Sequence, residues 1–523
     1  MTTNPISTPV APSFQSVNAL RRGGQLRAAF QQARDLYAAD PANVWNQRAL
    51  AWVYADRLKE TSTLPDPAPL LRGLRLMAHL PLPATESRWR EQVLWSVSRY
   101  LLRIAPEQLP LEALAELIAL GRTFADSEPS LVRSVWTKAL LKHSATGIDW
   151  LGLLADGGWD AFRPEDYQPE PITGPANSRP RTVGPLVERV CMAATRQVLD
   201  AVPVLDSGAN PLLDRMQTLA GQHPDWLFLA YYRAKLLLAL SRTDEALCAF
   251  LPVARRKHAE RSGAPFWMWT LLADLVTDDG DQKLSCLVKA VSVKTPESFL
   301  VKVRQTLAQR LIGLDRWTDA RAEIDRLVAT RQHEGWKLPA EVVQWLNDPH
   351  YTQAPQTPAT EVGAWYAAHL PAAESLLWSD LPETVVLVVA VDADRRMVSF
   401  SADAQTGGRL PWDRFGTGVL PAVGDRLAIR SETTREDKRV AVRVHTARPT
   451  NEPPTSLRTR TVAGPLRMVP GKAFGFVQSV LVPAGLLAGS VSWADQLVDV
   501  VACEAWDARK QTNGWRAFAI AKK

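Results

Sequence analysis

Gly471-Lys472-Ala473-Phe474-Gly475-Phe476-Val477 is the stretch on which the reading of this chain turns. Taken as a strand, it puts Lys472, Phe474 and Phe476 on one face, because side chains alternate with period two. A cation and two rings on one sheet face make a platform that stacks bases and holds phosphate. Gly475, between the rings, lets a base or another backbone come close. The competing reading leaves both phenylalanines half-buried against the chain's own helices, in a small β unit kept for binding protein.

The charge distribution bears on that choice. Residues 383–523 carry 20 Lys+Arg against 14 Asp+Glu, which leaves 41 of each in 1–382. The whole excess of +6 therefore sits in the part that holds the motif, as expected if that end meets a polyanion.

Lys472-Ala473-Phe474-Gly475-Phe476-Val477 resembles the first ribonucleoprotein motif of cold-shock domains, Lys-Gly-Phe-Gly-Phe-Ile. It also partly matches the RNA-recognition motif. That fold needs a strand and a helix ahead of the motif, whereas a proline-rich joint precedes it here. The strand-like pieces Val480–Val482, Val498–Cys503 and Trp515–Ile520 follow, the order of a five-stranded cold-shock barrel with the motif on its second strand. The resemblance covers about the last 60 residues and is incomplete. The second motif, Val-Phe-Val-His-Phe, is replaced by Val480-Leu481-Val482-Pro483-Ala484, Ala473 replaces a glycine, and Arg467 takes the place of the first-strand aromatic. The resemblance thus implies a reduced platform of Lys472, Phe474, Phe476 and Arg467.

Ahead of this unit, Val385–Val391, Arg396–Ser401, Arg426–Ser431 and Val440–Thr446 read as strands separated by Gly407-Gly408, Gly416, Gly418 and Gly424. Four or five strands in 383–447 fit an OB-like barrel, with a generic β-sandwich as the alternative. Trp412 and Phe415 are its exposed candidates for extending a nucleic-acid site, and a basic proline-rich joint, 448–460, links the two units.

Everything earlier reads as helix. In 17–162, apolar stripes recur through Ser87–Leu102, Leu111–Arg122 and Ser130–Lys142. Residues 163–185 hold six prolines and predict a linker or extended strap, the alternative being a loop inserted in one continuous solenoid. Ala29, Pro41, Leu50, Ala51 and Tyr54 resemble the tetratricopeptide repeat, as do Ala230, Ala234, Leu237, Ala246 and Phe250 in 186–382. Leu284 and Ala320 follow Ala246 at steps of 38 and 36, near the family's period of about 34 residues. Most of the 19 tryptophans are expected as wedges between helix layers rather than as a peptide groove.

The fold class expected is therefore multidomain, α then β: a tetratricopeptide-like α-solenoid followed by two small OB-like β-barrels, the second spanning 461–523. Residues 1–16 are expected to be a disordered leader without a secretion signal. Cys191, Cys248, Cys286 and Cys503 lack metal-ligand spacing and read as reduced cytoplasmic thiols. The longest aliphatic run, Val385–Val391, is too short to span a bilayer, so no membrane contact is expected. Gly464 to Lys472 ends in Gly-Lys, yet Ala473 stands where a phosphate loop needs Ser or Thr. Asp278-Asp279-Gly280-Asp281 lacks the calcium-loop ligand pattern. Neither a cofactor nor an enzymatic activity is expected. The function expected is an adaptor: helices for a protein partner, barrels for single-stranded nucleic acid, RNA before DNA. The alternative is a purely protein-binding scaffold, possible by analogy in a bacterial stress or conflict system.

Overall fold

The computed structural model describes residues 13–82, 87–125, 128–144, 147–157, 159–172, 181–201, 206–276, 280–356, 358–414, 419–436, 439–487, 493–507 and 512–523. It divides into two compact units, Met1–Ala246 and Leu247–Lys523.

The first unit is helical from Phe14, so three residues of the stretch expected as a leader are helical. The Ser13 side chain caps that helix by accepting the Ser16 N–H, which satisfies one of the free donors of the first turn. Helices then stack in two layers. Val44–Thr61, Ser87–Arg103, Leu131–Lys142, Leu186–Asp200 and Leu227–Ala239 pack each on the next, with Leu26–Ala39, Ala68–Ala78, Leu111–Phe124 and Asp206–Gln222 beside them. Small residues let them approach: Ala29, Ala33, Ala49 and Ala51 are fully buried, and Tyr54 meets the edge of Phe30 at 5.5 Å.

The described part of the proline-rich strap packs against the helices. Its turn Pro164–Tyr167 buries Asp166, whose carboxylate accepts a 2.6 Å hydrogen bond from the hydroxyl of Ser134. Tyr167 stacks on His223, which in turn stacks on Trp226 at 4.2 Å. Strands β1 (Glu170–Ile172) and β2 (Arg181–Val183) pair antiparallel. A distant carboxylate caps the last helix of the row: Glu188 accepts the N–H groups of Phe228 and Leu229 at 2.9 and 3.1 Å.

In the second unit, Phe266–Leu275, Asp281–Ser292, Glu297–Gly313 and Trp317–His333 pack in succession, and Ala359–Leu376 returns onto Asp281–Ser292. A buried ionic cluster joins them. Arg304 donates to Glu323 at 2.5 Å and to Glu297 at 2.9 and 3.0 Å, and the Tyr366 hydroxyl donates to the other Glu323 oxygen. Burial and the neighbouring Glu323 push the Tyr366 phenol up, which keeps it a donor.

Two curled sheets follow. The first has strands β3 (Glu383–Asp392), β4 (Met397–Ser401), β5 (Gly407–Pro411), β6 (Arg426–Glu436) and β7 (Arg439–Thr450), all antiparallel, in the order β5-β4-β3-β6-β7. Irregular pairing at Val388/Ala390 and Arg430/Ser431 bends the sheet until its edges β5 and β7 approach. Gly407 and Gly408, expected between strands, lie within β5, where the Phe400 ring and carbonyl leave no room for a Cβ. Trp378 stacks on His445 of β7 with ring centroids 3.4 Å apart, and this fixes the sheet to the end of the helical segment.

The second sheet has β8 (Thr459–Pro465), β9 (Arg467–Met468), β10 (Gly475–Val477), β11 (Val480–Val482), β12 (Leu497–Asp507) and β13 (Thr512–Lys522), in the order β8-β12-β13-β11-β10-β9. Its end members β8 and β9 are successive pieces of one segment bent at Leu466, and the sheet curls around Leu466, Val477, Val480, Val482, Val498, Val500, Ala502 and Ala517. That curl fits an OB-like barrel. The two sheets meet by their outer faces, where Leu387 and Val389 of β3 pack with Leu457, Cys503 and Phe518.

Candidate nucleic-acid interface

The quoted motif is a strand only over Gly475–Val477. Lys472 lies in the turn before it, exposed, and does not share a strand face with the rings. The cause is local. Gly471 adopts φ +70°, the Lys472 N–H donates to the Val469 carbonyl, and the Val469 N–H donates to the Phe474 carbonyl, so the chain reverses before period two begins. The two phenylalanines do come together, edge to face at 6.0 Å, and both are half-buried.

Strand register then assembles a row that the sequence does not display. Phe476 lies opposite Arg467 on β9 and opposite Leu481 on β11. Leu481 lies beside Arg516 on β13 in the sheet's parallel pairing, and Arg516 lies opposite Cys503 on β12. Directly paired residues project to the same face. Arg467, Phe476, Leu481 and Arg516 therefore form one continuous stripe on the outer face, while Gly475 and Val477 face the core or its wall. Gly475 has no space for a side chain: a Cβ there would stand 2.8 Å from the Arg467 carbonyl.

The electrostatics of the stripe are one-sided. In the first sheet, Arg396 pairs with Asp413, and Arg430 and Arg448 pair with Glu383. Among the described residues, Arg458, Arg460, Arg467, Lys472 and Arg516 of the second sheet and its joint have no carboxylate partner within salt-bridge distance. Arg460 lies over the Trp515 ring at 4.1 Å and donates to Ser479 at 2.9 Å. Burial lowers the pKa of Arg516, and Arg409 of the first sheet adds to the shift. Burial also pushes the Cys503 thiol up to about 11, so this neighbour is neutral at physiological pH.

Of the residues expected at the site, Arg467, Phe474 and Phe476 come together, with Lys472 on the adjoining turn. Trp412 does not belong there. It is 2% exposed in the core of the first sheet, and its indole N–H donates to the Val419 carbonyl. An aromatic that follows directly on a strand end can fold back over the core, and Pro411-Trp412 does so. Phe415, Asp278 and Asp279 lie outside the described residues. Arg516 was not a candidate from sequence, because its place in the stripe depends on a parallel pairing with residues 35 positions earlier. No cluster of three or more possible metal ligands occurs among the described residues. No helix described is long and apolar enough to cross a membrane.

A small curled sheet with a cationic and aromatic outer stripe defines the site. Residues 460–520 match the family described as S1/CSD-like domain 2 of the TOTE conflict systems, a span that starts one residue into β8 and ends within β13. Residues 227–373 match a domain of unknown function, DUF7017, which runs from the start of the helix Leu227–Ala239 almost to the end of Ala359–Leu376. No curated protein is significantly similar to the chain.

Proposed function

We propose that the chain is a non-enzymatic cytoplasmic adaptor of a conflict or stress system, in which a helical scaffold of tetratricopeptide type engages a protein partner and the C-terminal sheets contact single-stranded nucleic acid, RNA before DNA. The observation that carries the reading is the stripe Arg467–Phe476–Leu481–Arg516, which bears two guanidiniums and a ring but no neutralising carboxylate. The match of 460–520 to an S1/CSD-like domain of conflict systems supports it. The two-layer stacking of helices on alanines supports the scaffold. Arg467, Lys472 and Arg516 together supply about three phosphate contacts, so the logarithm of affinity should fall with the logarithm of salt at a slope of about −2.

The test is a fluorescence-anisotropy titration of the full chain with single-stranded RNA and DNA at two salt concentrations. Binding that weakens roughly twentyfold between about 50 and 200 mM salt is the expected result. Lack of binding to either strand at the lower salt would leave the sheets as protein-binding elements.

A further inference from the structure

From the outer faces of the two sheets we infer that their seam is a phosphate-binding notch, in which Arg409 of the first sheet and Arg516 of the second hold one backbone phosphate of a strand whose bases lie on Phe476. The inference rests on the nucleic-acid reading above and adds the first sheet to the binding surface.

Register places both guanidiniums on the outer faces that meet at the seam. Arg409 lies opposite Ser399, which lies opposite Ala390 of β3. The inward face of these strands carries Val398, Phe400 and Leu410, so Arg409 projects from the outer face, the one on which Leu387 and Val389 meet the second sheet. Arg516 is the cross-strand partner of Cys503, and Cys503 is itself one of the seam residues. Gly424 of the first sheet comes equally close: a Cβ there would lie 3.5 Å from the Phe518 carbonyl, two residues past Arg516.

Arg516 is half-buried at the seam, and a second guanidinium facing it from the exposed side is unfavourable unless an anion joins the two. No described carboxylate lies within salt-bridge distance of either. The Arg516 Nε is sealed from solvent without an acceptor, on a strand whose partner residue Cys503 packs with Leu387, Val389, Leu457 and Phe518 at the seam. Planar guanidiniums suit a tetrahedral oxyanion held from two sides. Arg516 lies two strand spacings from Phe476, about 10 Å, so a strand stacked on that ring passes the notch within one or two nucleotides. The bend that brings the sheets together is thus the feature that completes the site.

The experiment compares the unsubstituted full chain with Arg409→Gln, Arg516→Gln, the double variant and Phe476→Ala, by anisotropy titration of single-stranded RNA across a salt series. Arg409 is exposed, so its substitution leaves the fold unchanged, and thermal unfolding of each variant checks this. Each arginine variant should bind roughly tenfold more weakly. The double variant should bind little more weakly than either single one, with the salt slope shallower by about 0.7, the signature of one lost phosphate contact. Additive losses, with the slope shallower by about 1.4, would put the two guanidiniums on separate phosphates and overturn the shared notch. Unchanged binding by both arginine variants, with Phe476→Ala weakened, overturns the notch and keeps the nucleic-acid reading. Failure of the unsubstituted chain to bind overturns both.

Discussion

Replacement of Glu323 by glutamine tests the cluster that holds the helices of the second unit together. The Glu323 side chain is 1% exposed and that of Arg304 3% exposed, so neither charge has water to fall back on. Glu323→Gln keeps the shape and an oxygen for the Tyr366 hydroxyl but removes the counter-charge from the Arg304 Nη1. Removing one partner of a buried pair costs about 3–5 kcal/mol. Here Glu297 still accepts from Nε and Nη2, though its side chain is 55% exposed, so the expected cost is near the lower end, about 3 kcal/mol. Arg304→Met combined with Glu323→Leu removes both charges and should recover to within about 1 kcal/mol of the original chain. The Tyr366 hydroxyl then keeps Arg326, 2.9 Å away, as its polar partner. Urea unfolding followed by tryptophan fluorescence gives the ranking. Hydrogen exchange in Glu297–Gly313 and Trp317–His333 localises it, which matters for a chain that unfolds in more than one step. A double variant no more stable than Glu323→Gln would refute the reasoning, because the loss would then come from packing rather than from an unpaired charge.

Two further outcomes follow from burial. Burial raises the Glu188 carboxyl pKa despite the two backbone N–H groups it accepts, so the folded state holds its proton more tightly than the unfolded state does. Its contribution to stability is therefore largest at acid pH and falls as pH rises from the ordinary carboxyl range, about 4, through the raised value. Glu188→Gln, which keeps an acceptor for Phe228 and Leu229, should gain on the original chain in urea midpoint over that rise, and a pH-independent difference would contradict this. Trp412→Ala should lower stability by about 3–5 kcal/mol by urea unfolding, while Trp412→Phe leaves RNA affinity unchanged, since the indole lies in the core and not on the stripe.

Much of the architecture was legible in the sequence because it rests on local periodicity. The apolar stripes of Ser87–Arg103 and Leu111–Phe124 and the continuous aliphatic run Val385–Val391 mark elements to within a few residues. Ala29 and Leu50 pack in one cluster at a helix interface. The contacts of the strap around Pro164 were not legible, because prolines exclude helix but not packing, and Asp166 and Tyr167 find partners some 30 and 60 residues away. The long hairpin β6–β7 likewise ran past both expected strand ends, because polar residues such as Glu432, Arg448 and Thr450 pair in a ladder that hydropathy does not mark. At the site, the two rings were legible and the cations were only half so. Arg467 lies beside Phe476 in register, Lys472 sits on the adjoining turn at Gly471, and Arg516 and Arg409 enter through strand order and the seam, neither of which leaves a trace in local spacing.

The central claim is that Phe476 and its stripe receive the bases of a single strand. It is tested most directly by the RNA affinity of the full chain carrying Phe476→Ala, with Phe299→Ala, an exposed ring on the helical segment, as the comparison. Loss of one stacked base is worth about 1–3 kcal/mol, so Phe476→Ala should weaken binding by roughly five- to 150-fold while Phe299→Ala changes nothing. Binding by Phe476→Ala within about twofold of the unsubstituted chain, a difference below the smallest stacking contribution, would contradict the account.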